Sequence, residues 1–399
     1  MAMIGDGWNG ETPPLRPSAR PSNGPRRVAV VTGSRAEFGL LKPVMLEVAA
    51  RPDLMLMVIA AGSHLVAPAH TFHDVKASFN IAESVPMQIA GRTGRLEDVE
   101  ATARGVARFA RAFERLSPDW VVVLGDRIEA FAAGIAACVG GWALAHIHGG
   151  DRAEGIADES MRHALTKMAH LHLAATPASA ERIARMGEPR SRIHVVGSPG
   201  IDALASIDPL DDQAFEELGR PDAMLLMHPV GRTSEAEEAA AAAVIEGLDG
   251  RRILALHPNY DAGREGILRA LEQAAAEGRL RLASHLPRER FVGLLKRLTS
   301  SAGVMAGNSS AALIEAAALG LPALDVGSRQ NGRERCSNVV HVAGEYPADV
   351  AQALRHAATL DLSARVHPYG AGDAGIRIAS LLASIDPSEP GFQRKRCAY

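Results

Sequence analysis

Short runs of aliphatic residues recur along the chain, each closed by a turn signal and followed by a helix-length amphipathic stretch, as in parallel strand–helix–strand units. Before residue 205 the runs are VAVVTG from Val28, LMLMVIAAG from Leu54, VVVLGD from Val121, ALAHIHGG from Ala143, LHLAAT from Leu171 and IHVVGS from Ile193. A second series follows: MLLMHP from Met224, ILALHPN from Ile253, LRLASHLP from Leu280, GVMAGNSS from Gly303, ALDVGS from Ala323 and NVVHVAG from Asn338. Parallel strands buried on both faces read as continuous apolar runs of this kind. The segments between them, such as Glu129–Val139 and Asp158–Met168, carry helical period. The Ala/Glu tract Glu235–Ile245 reads as an ordinary helix with Ser234 as its N-cap. Gly197–Asp212 (GSPGIDALASIDPLDD) has neither period and marks a boundary. The pattern predicts an α/β protein of two Rossmann-like doubly wound domains, 26–205 and 206–372, after a disordered Pro/Gly/Ser-rich tail over 1–25.

Composition narrows the partners. A length of 399 residues suits two or three domains, and 47% hydrophobic with 22% charged residues is ordinary globular usage. Lys and Arg number 43 against 46 Asp and Glu, a net charge of -3, so no global field gathers nucleic acid or anionic lipid. Any anion site must be local. Aromatic residues, at 4%, are too sparse for the stacking platforms of single-stranded nucleic acid, and no nucleic-acid partner is expected. No apolar stretch approaches the ~18 residues of a membrane span, and 1–25 holds no signal-peptide core, so no membrane partner is expected. Cys138, Cys336 and Cys397 are odd in number and lack CxxC spacing, which fits a reducing cytoplasm rather than a disulfide framework or a zinc ribbon.

Open α/β sheets bind ligands just beyond the carboxyl ends of their strands, and the polar residues of this chain cluster there. Arg35 and Glu37, Asp126 and Arg127, His148 and Asp151, His228, Asn259, Asn308 to Ser310, and Arg329 all follow an apolar run within a few positions. Gly307-Asn308-Ser309-Ser310 lies between a strand and a predicted helix, Ala311–Leu319, where free amides and the helix dipole suit a phosphate; a plain N-cap explains the same residues. Glu315 has the chemistry to accept ribose hydroxyls. The basic loop Gly327–Arg335 suits bidentate phosphate contacts, or else is a solvated surface loop. Gly33–Gly39 lacks GxGxxG spacing and no acid ends the second strand, so a nicotinamide cofactor is not indicated. Arg35 reads as a phosphate or carboxylate clamp, or as a salt-bridge partner of Glu37. His146, His148, His163, His170 and His172, with Asp126, Asp151 and Asp158, raise a metal reading, against which core or cleft histidines are preferred; no metal and no other cofactor is expected. Asp126, ending a central strand, and Asp158-Glu159, opening a helix, are the acid–base candidates, although helix capping accounts for Glu159 and in part for Asp158.

Taken together, VVTGSRAEFGLL, VVVLGDRIEA, AHIHGGD, ADESMRHALTKMAHLH, MHPV, HPNYDAG and GNSSAALIEAAALGLPALDVGSRQNGRER make the stretch from Arg27 to Asp386 resemble the UDP-N-acetylglucosamine 2-epimerase family. The likeness is strongest to its hydrolysing branch, which begins sialic and related nonulosonic acid synthesis. It implies a fold similar to the GT-B glycosyltransferases, a UDP-sugar in the cleft, no required metal, and a homodimer or higher homo-oligomer. It also implies that a last helix, about Asp373–Leu382 within 373–388, packs back on the first domain. By position, Arg35, His228, Asn259, Ser309, Ser310, Glu315 and Arg329 look like nucleotide and phosphate ligands, and Asp126, Asp158 and Arg162 like the catalytic group. His148 stands where members of the animal type have Glu, and the segment Glu154–Ala157 is one residue longer, so His148 joins the proton-handling candidates. The implied chemistry is loss of the sugar C2 proton with departure of UDP from C1, then addition of water to the resulting glycal. The likeness also admits UDP-N,N'-diacetylbacillosamine as the sugar; a GT-B glycosyltransferase and a non-catalytic nucleotide-sugar sensor are the readings of other classes.

Overall fold

The computed structural model describes residues 24–67, 71–153, 158–202, 204–259, 261, 263–363 and 367–395, and of Asp158 the backbone alone. The tail expected over 1–25 falls, but for its last two residues, outside the described residues, as does the segment Glu154–Ala157. Among the described residues thirteen strands form two parallel sheets. The first holds β1 (Arg26–Thr32), β2 (Leu54–Ala61), β3 (Ile81–Val85), β4 (Trp120–Leu124), β5 (Ala143–Ile147), β6 (Leu171–Ala174) and β7 (Ile193–Val195) in the order β3-β2-β1-β4-β5-β6-β7. The second holds β8 (Ala223–Leu226), β9 (Ile253–Leu256), β10 (Leu280–Ala283), β11 (Val304–Gly307), β12 (Ala323–Val326) and β13 (Val339–Val342) in the order β10-β9-β8-β11-β12-β13. Alternating helices on both faces complete the α/β architecture.

Every strand except β3 matches an apolar run in the sequence. β3 (IAESV) carries Glu83 and Ser84, is buried only at Val85, and sits at the sheet edge, where one side of the ladder faces outward and an apolar run is not required. In both sheets the winding direction reverses after the first strand, so that β1 lies beside β4 and β8 beside β11. A crevice opens at each such reversal, beyond the carboxyl ends of the strands.

The first sheet is covered on both faces. Val28, Val30 and Val122 pack with Leu41, Val44 and Val48 of the helix Arg35–Ala50, while Ala29, Val31 and Val121 pack with Phe109, Phe113 and Ala133 on the other side. The last helix, Ala374–Ser384, returns to this layer after the chain has passed through the second sheet. Its Ile378, Ala379 and Leu382 join the core of Leu41 and Val44, and Arg26 Nη1 donates to the Leu382 carbonyl at 2.8 Å. Truncating a fully buried leucine such as Leu382 to alanine costs about 2–5 kcal/mol.

Two local expectations change. The helix expected over Ala311–Leu319 is broken into a 3-10 turn, Ser310–Ala312, and a short helix, Glu315–Leu319. Ser309 Oγ competes for the Ala311 amide (3.4 Å), and Ile314, at φ -105°, ψ -71°, stays in the broad helical region but off its centre. The helix Ser234–Gly247 is capped by Thr233, one residue before the expected Ser234, because Thr233 is extended and its hydroxyl accepts from the Ala236 amide at 3.3 Å. Among the described residues no helix is long and apolar enough to cross a membrane.

Candidate active site

At the reversal of the second sheet, β11 ends in Gly307 with φ 127°, and a Cβ there would lie 2.1 Å from the Leu226 carbonyl oxygen of neighbouring β8. Only glycine permits this approach. It lets Asn308, almost wholly buried, reach across the crevice: its Oδ1 accepts from the His228 amide (2.7 Å) and its Nδ2 donates to the His228 carbonyl (2.8 Å). The Asn308 carbonyl in turn accepts from Arg329 Nη1 (3.2 Å) and Gln330 Nε2 (2.9 Å). His228 Nδ1 accepts from the Asn259 amide at 3.1 Å. Burial, aided by the Arg329 and Arg127 guanidinium groups, holds this imidazole well below the usual histidine range. The ring is therefore neutral near pH 7, and with Nδ1 accepting, its proton sits on Nε2 as a donor.

At the reversal of the first sheet, β4 runs into Gly125-Asp126-Arg127. Asp126 forms an ion pair with Arg162 of the helix Asp158–Met168. Arg162, nearly buried, also donates from Nη1 to the Asp151 carbonyl (3.0 Å) and to Glu159 Oε2 (3.3 Å). Asp158 opens this helix, but its side chain lies outside the described residues.

Asp151, four residues beyond β5, is the hub of the group. Its carboxylate accepts from Ser179 Oγ (2.7 Å) and Arg333 Nη2 (3.3 Å) and lies 3.4 Å from His148 Nδ1. Burial alone would raise its pKa, but the His148 contact, the Arg333 charge and the Ser179 hydroxyl together bring it down to about 2. His148 holds a left-handed backbone (φ 63°), unusual for a residue with a side chain, and its Nε2 is 3.1 Å from Ser198 Oγ. Both ring nitrogens are thus engaged.

Arg333 follows β12, so its bond to Asp151 joins the carboxyl ends of the two sheets. Arg182–Glu334 (2.6 Å) and Arg127–Asp261 (3.5 Å) span the same gap. Arg335 is held by buried Asp325 at 2.7 Å. The basic loop is therefore an internal clasp and not a solvated surface loop. Burial, and then the neighbouring guanidinium groups of Arg333 and Arg329, lower the pKa of Arg162 to about 9. Arginines from both sheets thus lie close enough to act on one another.

Of the residues singled out from the sequence, Asp126, Arg162, His148 and Arg329 converge here, with His228 and Asn259 adjoining through Arg329 and Asn308. Four others stand apart from this cluster. Arg35 pairs with Asp74 at 3.3 Å, not with Glu37, whose carboxylate accepts from the Gly33 amide (2.6 Å). Glu315 is buried and takes Arg288 Nη1 at 2.7 Å. Ser309 and Ser310 begin a single 3-10 turn, so the full helix dipole expected behind them is lacking. From the sequence, Asp151 stands only among the strand-end polar residues and the metal candidates, Arg333 and Gln330 only within the basic loop, and Ser198 is not singled out. The run of arginines in GSRQNGRER was the available signal for Arg333, while nothing local marks Ser198. Among the described residues no three His, Cys, Asp or Glu side chains gather as a metal ion would need.

The model of the family described as UDP-N-acetylglucosamine 2-epimerase matches residues 46–383. A UDP-N,N'-diacetylbacillosamine 2-epimerase (hydrolyzing) of Legionella pneumophila is 34% identical over 369 residues, covering 90% of this chain and 96% of its own. A UDP-N-acetylglucosamine 2-epimerase of Neisseria meningitidis serogroup B is 31% identical over 357 residues, covering 87% and 92%. Among solved structures, the UDP-GlcNAc 2-epimerase of Methanocaldococcus jannaschii in complex with UDP-GlcNAc and UDP superposes with a TM-score of 0.75 at 17% identity, covering 89% of this chain and 99% of that one. These structural likenesses establish a shared two-sheet, GT-B-like fold.

Proposed function

The chain belongs to the UDP-N-acetylglucosamine 2-epimerase family, and from that premise we propose that it is a hydrolysing 2-epimerase converting UDP-N-acetylglucosamine and water to N-acetylmannosamine and UDP. In this reading 26–205 and 206–372 are two domains that close on the UDP-sugar, and 373–388 ties the end of the chain to the first. The observation that carries it is the convergence of Asp126 and Arg162 from one sheet with Arg329 and Arg333 from the other. That array pairs a carboxylate with the positive charge a departing diphosphate requires.

Of the two aspartates described at the site, Asp126 is the more open, with 21% of its side chain exposed against 2% for Asp151; Glu159, 24% exposed, is engaged by the Ala153 amide, His163 and Arg162. Asp126 removes the C2 proton. The C1–O bond breaks, its electron pair leaves with UDP, and a C1–C2 double bond forms. Water then adds at C1 while a second acid returns a proton to C2 on the opposite face, and Asp158 is our candidate. Arg162 holds the Asp126 carboxylate in place, Arg329 and the Nε2 proton of His228 meet the diphosphate, and Ser309, Ser310 and Asn259 line the nucleotide side. Arg35 and Glu315 serve as further nucleotide ligands only if they exchange their present partners Asp74 and Arg288 for substrate. His148, engaged at both nitrogens, orients Asp151 rather than exchanging protons with the sugar.

A second reading, UDP-N,N'-diacetylbacillosamine as substrate, is favoured by the 34% identity to the Legionella enzyme. The test is incubation with each UDP-sugar in heavy water, followed by NMR. The proposal expects UDP and a free 2-epimeric sugar bearing deuterium at C2. Accumulating UDP-linked epimer would make the protein a non-hydrolysing epimerase. Free N-acetylglucosamine without deuterium would mean simple hydrolysis, and no UDP release from either sugar would sink the reading.

A further inference from the structure

Two stretches carry the chain between the sheets, and they meet where Gly197 faces Gly370. Gly197 (φ 87°) and Gly370 (φ 94°) lie back to back: a Cβ on Gly370 would come 3.0 Å from the Gly197 Cα. Beside them the Ser198 amide donates to the Tyr369 carbonyl at 2.8 Å. Ser198 is fully buried, and its Oγ accepts from the Gly200 amide (3.2 Å) while meeting His148 Nε2 at 3.1 Å. Arg288, on a helix of the second sheet, donates to the Gly200 carbonyl and to Glu315. A line of contacts therefore runs from the second sheet through Arg288, Gly200 and Ser198 to His148 and Asp151. From Asp151 it continues to Arg162 through the main-chain carbonyl and to Arg333 through the carboxylate.

We propose that Ser198 is a positioning residue that couples the crossing point between the two halves to the active-site cluster, by fixing the His148 ring that in turn fixes Asp151. The physical case rests on constraint. His148 sits in left-handed backbone, a conformation that persists only where its surroundings impose it. The ring has one bond to the cluster and one to the crossing segment, so it cannot turn without breaking either. A shift at Gly197–Gly370 moves Ser198 directly, because Ser198 is the next residue and is tied to Tyr369. Asp151 carries the main-chain oxygen that seats Arg162, so a small rotation there reaches the Asp126 pair. Displacements of this size at orienting residues typically cost ~10–100-fold in activity.

This inference rests on the reading of the cluster as the site of epimerase chemistry, so the test needs a readout independent of turnover. The full-length protein is compared with S198A, S198T and G370A by steady-state kinetics and by the imidazole 1H–15N signals of His148, assigned by their loss in H148Q. S198A is expected to lower kcat ~10–100-fold with KM within about twofold, and S198T, which keeps the hydroxyl, to recover most of it. G370A, which touches no side chain of the cluster, is expected to lower kcat and to displace the His148 signals. Added to S198A it should cost less than about twofold more, because the link is already cut. The proposal is overturned if S198A changes stability but not kcat, or if the two effects on kcat multiply. An unmoved His148 signal in G370A also overturns it, and that measurement decides the matter should S198A fail to fold. If the wild-type protein releases UDP from neither sugar, the functional reading fails and the His148 signals alone judge the coupling.

Discussion

Replacing Asp151 with asparagine removes the charge at the hub of the cluster while keeping its shape. The carboxyl has its pKa brought from 3.8 to about 2, burial being outweighed by His148, Arg333 and Ser179. A depression of nearly 2 units at ~1.4 kcal/mol each makes the ionised form worth about 2–3 kcal/mol to the folded state. Because the folded pKa lies below the unfolded one, this stability is present in full above the ordinary carboxylate range and is lost as pH falls through about 2. An asparagine also leaves the buried Arg333 guanidinium without its counter-charge, so about 2 kcal/mol is a floor and ~3–5 kcal/mol the upper end. The described tryptophans, Trp120 and Trp142, are both buried in the layers of the first sheet, so their fluorescence follows the half that holds Asp151. With a urea dependence of ~3 kcal/mol per molar, D151N should lower the midpoint by at least ~0.7 M near neutral pH. Toward pH ~3 the gap should shrink to about half, because the carboxyl of the unfolded chain, with its ordinary pKa of 3.8, is by then mostly protonated while the folded one is not. Equal midpoints near neutrality, or a gap that does not narrow in acid, would refute the electrostatic account of Asp151.

Arg162→Lys keeps the charge but not the fork that meets Asp126, Asp151 and Glu159 together, and should cost at least ~10-fold in kcat in a UDP-release assay with the fold intact by circular dichroism. Away from the site, burial would raise the pKa of Glu188, but His172, Lys167 and Lys395 bring it down to about 2, so its ionised form stabilises the protein by about 3 kcal/mol above pH ~4.5, and this falls away as pH drops through about 2. Glu188→Gln should accordingly lower the melting temperature near neutral pH and much less toward pH ~3, followed by differential scanning calorimetry.

How much of this was legible beforehand depends on the scale of the interaction. The strands announce themselves because burial on both faces demands unbroken apolar runs, and β3 escapes because an edge strand does not. Asp126 is legible because it ends a central strand at a sheet reversal, where only a local reason explains an acid. Asp151 is hidden by contrast: its meaning comes from Arg333, which lies 182 residues away and arrives from the other sheet. Arg35 and Glu37 are neighbours in sequence and look like partners, yet the fold gives Arg35 to Asp74 and turns Glu37 inward to the Gly33 amide. The broken helix after Asn308 was obscured by Ala-rich composition, because propensity is blind to a serine that bonds its own backbone and to a buried glutamate drawn to Arg288.

The two described aspartates of the site also differ in what they can do to a proton. A group held at about 2 is ionised by some five orders of magnitude near pH 7, so Asp151 serves as a counter-charge and not as an acid. It spans the halves at the cost of its own reactivity, and the guanidinium groups that would otherwise repel one another, Arg162 and Arg333, are brought together through it: one at its main-chain oxygen, the other at its carboxylate. Asp126 is paired to one of the same arginines but keeps an open edge, which a base needs and a lock does not. Epimerisation at C2 also requires a donor on the opposite face of the ring. With Asp151 locked and His148 held at both nitrogens, our candidate for that donor remains Asp158, which opens the very helix whose Arg162 pairs with Asp126. A D158N protein that still forms UDP and the glycal but adds water slowly would separate the two proton transfers, whereas loss of UDP release together with loss of hydration would move Asp158 to the first step.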